Sequence, residues 1–161
     1  MGKIVQWGCL VGLRPAEIVE SVKLINDKEA FAKYYDPVQM TLFHWKYPQF
    51  VRTTKKAFVS FVSPPMVEIV QNVSSDKMHQ IPTYNAIRLT CQRRGITCDM
   101  RFCRKIFASW LHKCGESAEL IDLLQGRCGR SVFVNHYLTP GADYKDRILI
   151  ALDKLHRELL L

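Results

Sequence analysis

Four arginines and one tyrosine carry the chemistry this sequence can offer. Arg101 and Arg104 stand in Arg101-Phe102-Cys103-Arg104-Lys105-Ile106-Phe107-Ala108-Ser109. Arg127 closes Leu123-Leu124-Gln125-Gly126-Arg127, and Tyr137 follows ten residues later. Arg14 lies far upstream, in Val11-Gly12-Leu13-Arg14-Pro15-Ala16-Glu17. Guanidinium groups present a planar fork that grips phosphate oxygens in pairs, and a tyrosine phenol is a competent covalent nucleophile. The combination points to transfer of a phosphoryl group from a nucleic-acid backbone to tyrosine. Such a step needs a nucleophile at phosphorus, positive charge around the non-bridging oxygens and a proton for the leaving oxygen. Arginines can supply that charge without a metal. The carboxylates (Asp27, Glu29 and Asp36 among them) are scattered and form no two-metal pattern. The six cysteines contain no C-x-x-C pair, so no zinc site and no cofactor is expected. Tyr144 is the nearest rival nucleophile.

These segments resemble the three boxes of the tyrosine recombinase (integrase) family, and within it the integrases of archaeal viruses of the fusellovirus type. The family's first box reads T-G-L-R-x-S-E, its second H-x-L-R-H-T-F-A-T, and its third L-L-G-H with a tyrosine about ten residues on. Here they correspond to the stretches around Arg14, Arg101–Arg104 and Arg127. The resemblance implies an α+β, mostly helical catalytic domain with a small antiparallel β-sheet, spanning 1–161 and lacking the N-terminal domain with which relatives clamp DNA. It implies a site-specific recombinase that cleaves and rejoins double-stranded DNA at an attachment site through a 3′-phosphotyrosyl intermediate. Tyr137 would be the nucleophile, with Arg14 and Arg104 holding the scissile phosphate. Arg127 stands where relatives carry histidine or tryptophan, and Arg101 where they carry histidine or lysine. Arg101 stays protonated and is a poor base, so the acceptor of the tyrosine proton is open between water and the phosphate. The family's general acid is a lysine on a β-hairpin. Lys46 is the first choice, with Lys55 and Lys56 as rivals. The resemblance also implies a homotetramer on DNA and a monomer or weak oligomer in free solution. Its place would be the host cytoplasm, on the nucleoid when DNA-bound. The alternatives are a type IB topoisomerase and a DNA-binding module of the same fold without cleavage.

The composition agrees with a polyanionic partner. The chain of 161 residues carries a net charge of +8, with 48% apolar and 24% charged residues, which fits one globular domain facing nucleic acid. Lys55, Lys56, Arg93, Arg94 and Lys105 are candidate DNA-backbone contacts. No apolar run approaches the ~18 residues a membrane span needs, and no signal-peptide pattern opens the chain, so no membrane association is expected. Most cysteines are expected to be small buried hydrophobes, with a disulfide as the alternative.

The elements that must position these residues follow from periodicity. Apolar spacing predicts helices over 4–13, 15–24, 66–73, 83–94, 99–113, 115–125 and 141–161, with the segment 23–37 as a short helix or connection. Strand formers gather at 40–45 and 57–62, joined by a long hairpin loop over 46–56. Residues 74–80 read as a polar loop and 127–134 as a turn with a short helix. The last helix carries a stripe of Ile148, Leu152, Leu155 and Leu159 and is expected to dock on its own domain or on a neighbouring subunit, with 139–141 as the hinge. His44 and His112 are expected to be structural or exposed.

Overall fold

A computed structural model describes residues 2–52, 55–71, 73, 81–95, 99–127 and 143–160. It is α+β and mostly helical. In chain order the elements are α1 (Gly2–Val11), α2 (Pro15–Asn26), α3 (Lys28–Tyr34), β1 (Tyr35–Asp36), β2 (Thr41–Phe43), β3 (Val51–Arg52), β4 (Lys55–Lys56), β5 (Val59–Phe61), α4 (Pro64–Glu68), α5 (Tyr84–Arg93), α6 (Arg101–Lys113), α7 (Ala118–Leu124) and α8 (Tyr144–Leu159). One antiparallel sheet runs in the order β1-β2-β5, with Leu42 opposite both Tyr35 and Ser60. The strands β3 and β4 form a separate antiparallel ribbon.

Several expectations need correction. The strand expected over 40–45 ends at Phe43, because His44–Lys46 turns into a 3-10 helix and Pro48–Phe50 forms a second. Proline at the first position of that second turn presets its φ. The span 46–56 is therefore not one long loop but a turn of 3-10 helix followed by a short ribbon. The helix expected over 66–73 begins two residues earlier, at Pro64, and stops at Glu68. The pair Tyr35–Asp36 extends the sheet by a strand that the aromatic run of 31–35 concealed. The expected loop over 74–80 and nearly all of 127–134 lie outside the described residues, as does the hinge over 139–141.

The core is built where α1, α2, α6 and α8 meet the sheet. Trp7, Leu10, Leu13, Ile18, Val22, Leu42, Phe50, Met66, Ile87, Leu111 and Ile148 are fully buried. On α6 the buried positions Cys103, Phe107 and Leu111 recur every four residues, the spacing of one helical face. Cys9, Cys91 and Cys103 are buried as expected, and Cys114 is exposed. The last helix folds back on its own chain. Ile148, Leu149, Leu152 and Leu155 are buried and Leu159 half-buried, each fully buried side chain contributing about 1.5–3 kcal/mol. Polar contacts fix it in place: Trp110 Nε1 donates to Ala151 O (2.7 Å), Ser63 Oγ to Asp153 Oδ1 (2.9 Å), and Arg147 grips Glu116 with two nitrogens (3.1 Å each).

A buried polar chain ties the sheet to α1 and α3. Ser60 Oγ donates to Val11 O (3.4 Å), so it accepts from His44 Nε2 (2.8 Å). His44 Nδ1 is then unprotonated and accepts from Tyr34 Oη (2.8 Å). Burial lowers the His44 pKa from 6.5 to about 3, which keeps the ring neutral, as these partners require. His44 is thus structural, at the start of a 3-10 turn rather than on the strand expected to hold it.

This gives a pH dependence. The unfolded chain takes up a proton on His44 near pH 6.5 that the folded protein refuses until about pH 3. His44 therefore costs no stability above pH 6.5 and an increasing amount as the pH falls, by up to about 1.4 kcal/mol per unit. Urea unfolding midpoints measured from pH 7 to 5 should decline in the native protein. A His44→Phe variant should start less stable and show a flatter decline. Parallel curves would remove His44 as the cause.

Candidate functional site

Three of the four arginines converge on the end of α7, and local chain geometry explains why. That helix closes with a Schellman turn: Arg127 N donates to Asp122 O (2.8 Å) and Gly126 N to Leu123 O (3.0 Å), with Gly126 at φ +62°. The turn leaves two successive carbonyls, those of Gln125 and Gly126, pointing away from the helix ladder. Arg104 Nη2 donates to Gln125 O (3.1 Å) and Arg14 Nη2 to Gly126 O (3.0 Å). Arg127 follows directly, with its Nη1 3.5 Å from Asp122 Oδ1. Carbonyls at a helix C-terminus carry partial negative charge, so they suit guanidinium partners.

Each arginine is delivered by a distinct piece of the fold. Arg14 occupies the N-cap of α2, where Glu17 in the first turn accepts from both its backbone N–H (3.0 Å) and its Nη1 (2.8 Å). Glu17 is itself buried, so it acts as a fixed internal counter-charge. Arg104 lies on the buried side of α6 and is only 8% exposed. The turn before Arg14 can approach α6 because Gly12, at φ +63°, has no side chain. A Cβ there would lie 2.6 Å from the Phe107 ring, one helical turn beyond Arg104.

The electrostatics are those of a site short of negative charge. Burial, then Arg14, then Arg127 lower the Arg104 pKa from 12.5 to about 10. Glu17 and Asp122 oppose this without cancelling it. Arg104 Nη1 and Gln125 Oε1 are buried and have no hydrogen-bond partner among the described residues. A buried polar group left in that state costs about 1–3 kcal/mol, more if charged. An anion carrying several acceptor oxygens would satisfy Nη1 and relieve the repulsion among the three cations.

The remaining expected residues fall in different places. Arg101, at the start of α6, turns outward. Its side chain is 77% exposed and paired with Asp99 (Nε to Oδ2, 2.7 Å). Lys105, one turn on, is exposed with its Nζ over the Phe102 ring. Arg93 and Arg94 are exposed at the end of α5. Lys46, on the 3-10 turn, donates to Lys33 O (3.1 Å) and sits 4.2 Å from the centre of the Phe43 ring. The β3–β4 ribbon, by contrast, abuts the turn that ends α7: a Cβ on Gly126 would lie 2.6 Å from Lys56 O and Ala57 N. Lys56 is exposed there, and Lys55 precedes it in β4. Tyr137 lies outside the described residues. Tyr144 begins α8 with its ring against Phe61 (5.6 Å between centroids).

Among the described residues no group of three or more His, Cys, Asp or Glu side chains could hold a metal ion, and no helix is long and apolar enough to cross a membrane. No protein-family model, no curated protein and no solved structure matches this chain. The chemistry is therefore read from the arrangement itself.

Two glycines separate conformational strain from close packing. Gly126→Ala should cost about 1–2 kcal/mol for the left-handed backbone alone, plus the collision with the Lys56–Ala57 backbone. Gly95→Ala, at φ +66° with nothing within 4 Å, should cost only the conformational part. Chemical denaturation of both variants measures the difference. Equal losses would mean that the ribbon does not rest on Gly126.

Proposed function

We propose that this protein is a DNA strand transferase of the tyrosine recombinase type, a site-specific integrase whose helical fold carries the family's catalytic centre. The observation that carries this reading is the convergence of Arg14, Arg104 and Arg127 on one helix end, with Arg104 buried and its Nη1 unpartnered among the described residues. Residues over a hundred positions apart meet there, in the order in which the family's boxes supply its phosphate ligands. A net charge of +8 favours the same class of partner.

In this reading a phosphodiester of duplex DNA enters against Arg104 and Arg14. The Tyr137 phenol gives its proton to water or to the phosphate, and its oxygen bonds to phosphorus. The bond from phosphorus to the 5′-oxygen breaks, leaving a 3′-phosphotyrosyl link. The departing 5′-oxygen takes a proton from a lysine, and the reverse sequence with a new 5′-hydroxyl rejoins the strand. Cations held before the substrate arrives favour the extra charge of the pentacoordinate state, and arginine contacts of this kind contribute about 10²–10³ each in rate.

The position of the ribbon favours a different general acid from the first choice. Lys46 is held on α3 and the Phe43 ring, whereas β4 abuts Gly126. We assign the proton donor to the Lys55–Lys56 pair. Arg101, paired to Asp99 at the exposed end of α6, is assigned to the DNA backbone with Lys105, Arg93 and Arg94. The protein would work as a tetramer on paired attachment sites.

A nicked duplex that loses its short 5′-hydroxyl fragment traps the covalent intermediate and tests the reading. The native protein should form an adduct, and Tyr137→Phe should form none while binding DNA as before. Arg14→Ala and Arg104→Ala should slow adduct formation at least about 100-fold with smaller losses of binding. A substrate with a 5′-bridging sulfur leaves without a proton, so it should rescue the Lys56→Ala, Lys55→Ala double variant. Lys46→Ala should need no rescue. No adduct under any of these conditions would leave a DNA-binding module and end the catalytic reading. Adduct formation on plasmid lacking any recombination site would favour a topoisomerase.

A further inference from the structure

We propose that Gln125 is the positioning residue of the arginine site, holding Arg104 and Arg14 in the geometry that receives a phosphodiester without touching it. The proposal rests on the reading of the three arginines as phosphate ligands. Nothing in the chemistry of the three boxes calls for an amide at this place, directly before the glycine of the turn.

Gln125 is completely buried at the C-cap of α7. It meets Arg104 twice and in opposite senses. Its Nε2 donates to Arg104 O (2.7 Å), and its own main-chain O accepts from Arg104 Nη2 (3.1 Å). The amide orientation follows from the first bond, since an oxygen turned toward Arg104 O would repel it. The result is a closed clamp from the α6 backbone to the Gln125 side chain, along the Gln125 backbone, and back through the Arg104 guanidinium. The next carbonyl, Gly126 O, holds Arg14. One amide therefore sets the position of two successive carbonyls, and through them of two cations from different helices.

The side chain carries a disadvantage that an apolar residue would lack. Its Oε1 is buried without a partner among the described residues, where leucine or methionine would leave no such atom. If Gln125 only filled space, the apolar residue would serve better. What the amide adds is a donor that reaches Arg104 O, a main-chain carbonyl inside α6. Such an atom cannot be repositioned without moving the helix, which makes it a rigid reference for the turn.

The test uses Gln125→Met in the full chain, which keeps length and volume and removes the donor. Inorganic phosphate is the first probe, read as a shift in melting temperature and converted to an apparent Kd. The native protein should be stabilised by phosphate, and Gln125→Met should bind it at least about fivefold more weakly while melting within a few degrees of the native protein. On a nicked duplex the same variant should lose at least about tenfold in the rate constant at saturating DNA, with Kd for DNA within about threefold of native. That split marks positioning, because a merely structural change would lower the melting temperature and leave the rate of the folded fraction intact. If phosphate fails to stabilise even the native protein, the phosphate-site reading falls. If the native protein responds and Gln125→Met responds equally, with an unchanged rate, only the role of Gln125 falls. Should Gln125→Met not fold, Gln125→Asn keeps an amide that falls one methylene short of Arg104 O and is expected to give the same split. Failure of both variants to fold would make Gln125 a stability residue and overturn the proposal.

Discussion

Two neighbouring carbonyls at the end of α7, each taken by an arginine from a different helix, are the interaction on which the rest of this structure depends. Gln125 O receives Arg104 and Gly126 O receives Arg14. Remove the turn that exposes them and the arginines have no common anchor. Both glycines that bracket this arrangement are required by geometry. Gly126 adopts a left-handed conformation and lies under the Lys56–Ala57 backbone, and Gly12 lets the α1–α2 turn press on Phe107. The helices, the ribbon and the core beneath serve to bring these few atoms to one place.

The arrangement stores electrostatic tension. Like charges repel more strongly where water is excluded, and Arg104 responds with a pKa drawn down to about 10 by burial and by Arg14 and Arg127. Even so it remains protonated at neutral pH. Glu17 offsets part of the charge, and the helix-end carbonyls offset more by dipole than by net charge. What remains is a preorganised deficit of negative charge around a buried donor, and a bound anion would discharge it. In the proposed reaction this is the property by which the site would favour the transition state.

Much of this was legible in the sequence because its signals are local. Arg14 with Glu17 three residues on, and Gly126 with Arg127 after a leucine-rich helix, each declare a turn whose chemistry depends on adjacent residues. The α8 stripe also followed from periodicity, and the buried cysteines from their lack of any metal-binding spacing. What escaped depended on contacts between distant parts of the chain. In one dimension Lys46, at the end of the expected strand, reads as the first choice of hairpin lysine, ahead of Lys55 and Lys56. In three, Lys46 lies on a 3-10 turn whereas β4 packs on Gly126, which favours the Lys55–Lys56 pair in the proposed reaction. Arg101 and Arg104 sit three residues apart on the same helix, yet one is paired outward with Asp99 and the other is buried, because the face of α6 that meets α1 is set by tertiary packing. Gln125 gave no signal at all, since its role lies in a bond to a backbone carbonyl twenty-one residues away.

The central claim is that Arg14, Arg104 and Arg127 form one phosphate site while Arg101 stands outside it. It is tested most directly by following the arginine side-chain Nε–Hε resonances of nitrogen-15-labelled protein during titration with dimethyl phosphate, then with a short DNA duplex. The account predicts that dimethyl phosphate shifts Arg104 and Arg14 first, with Arg127 following and Arg101 unmoved, and that duplex DNA adds shifts at Arg101, Arg93 and Arg94. Shifts confined to Arg93, Arg94 and Arg101, with Arg104 and Arg14 silent to both ligands, would contradict it.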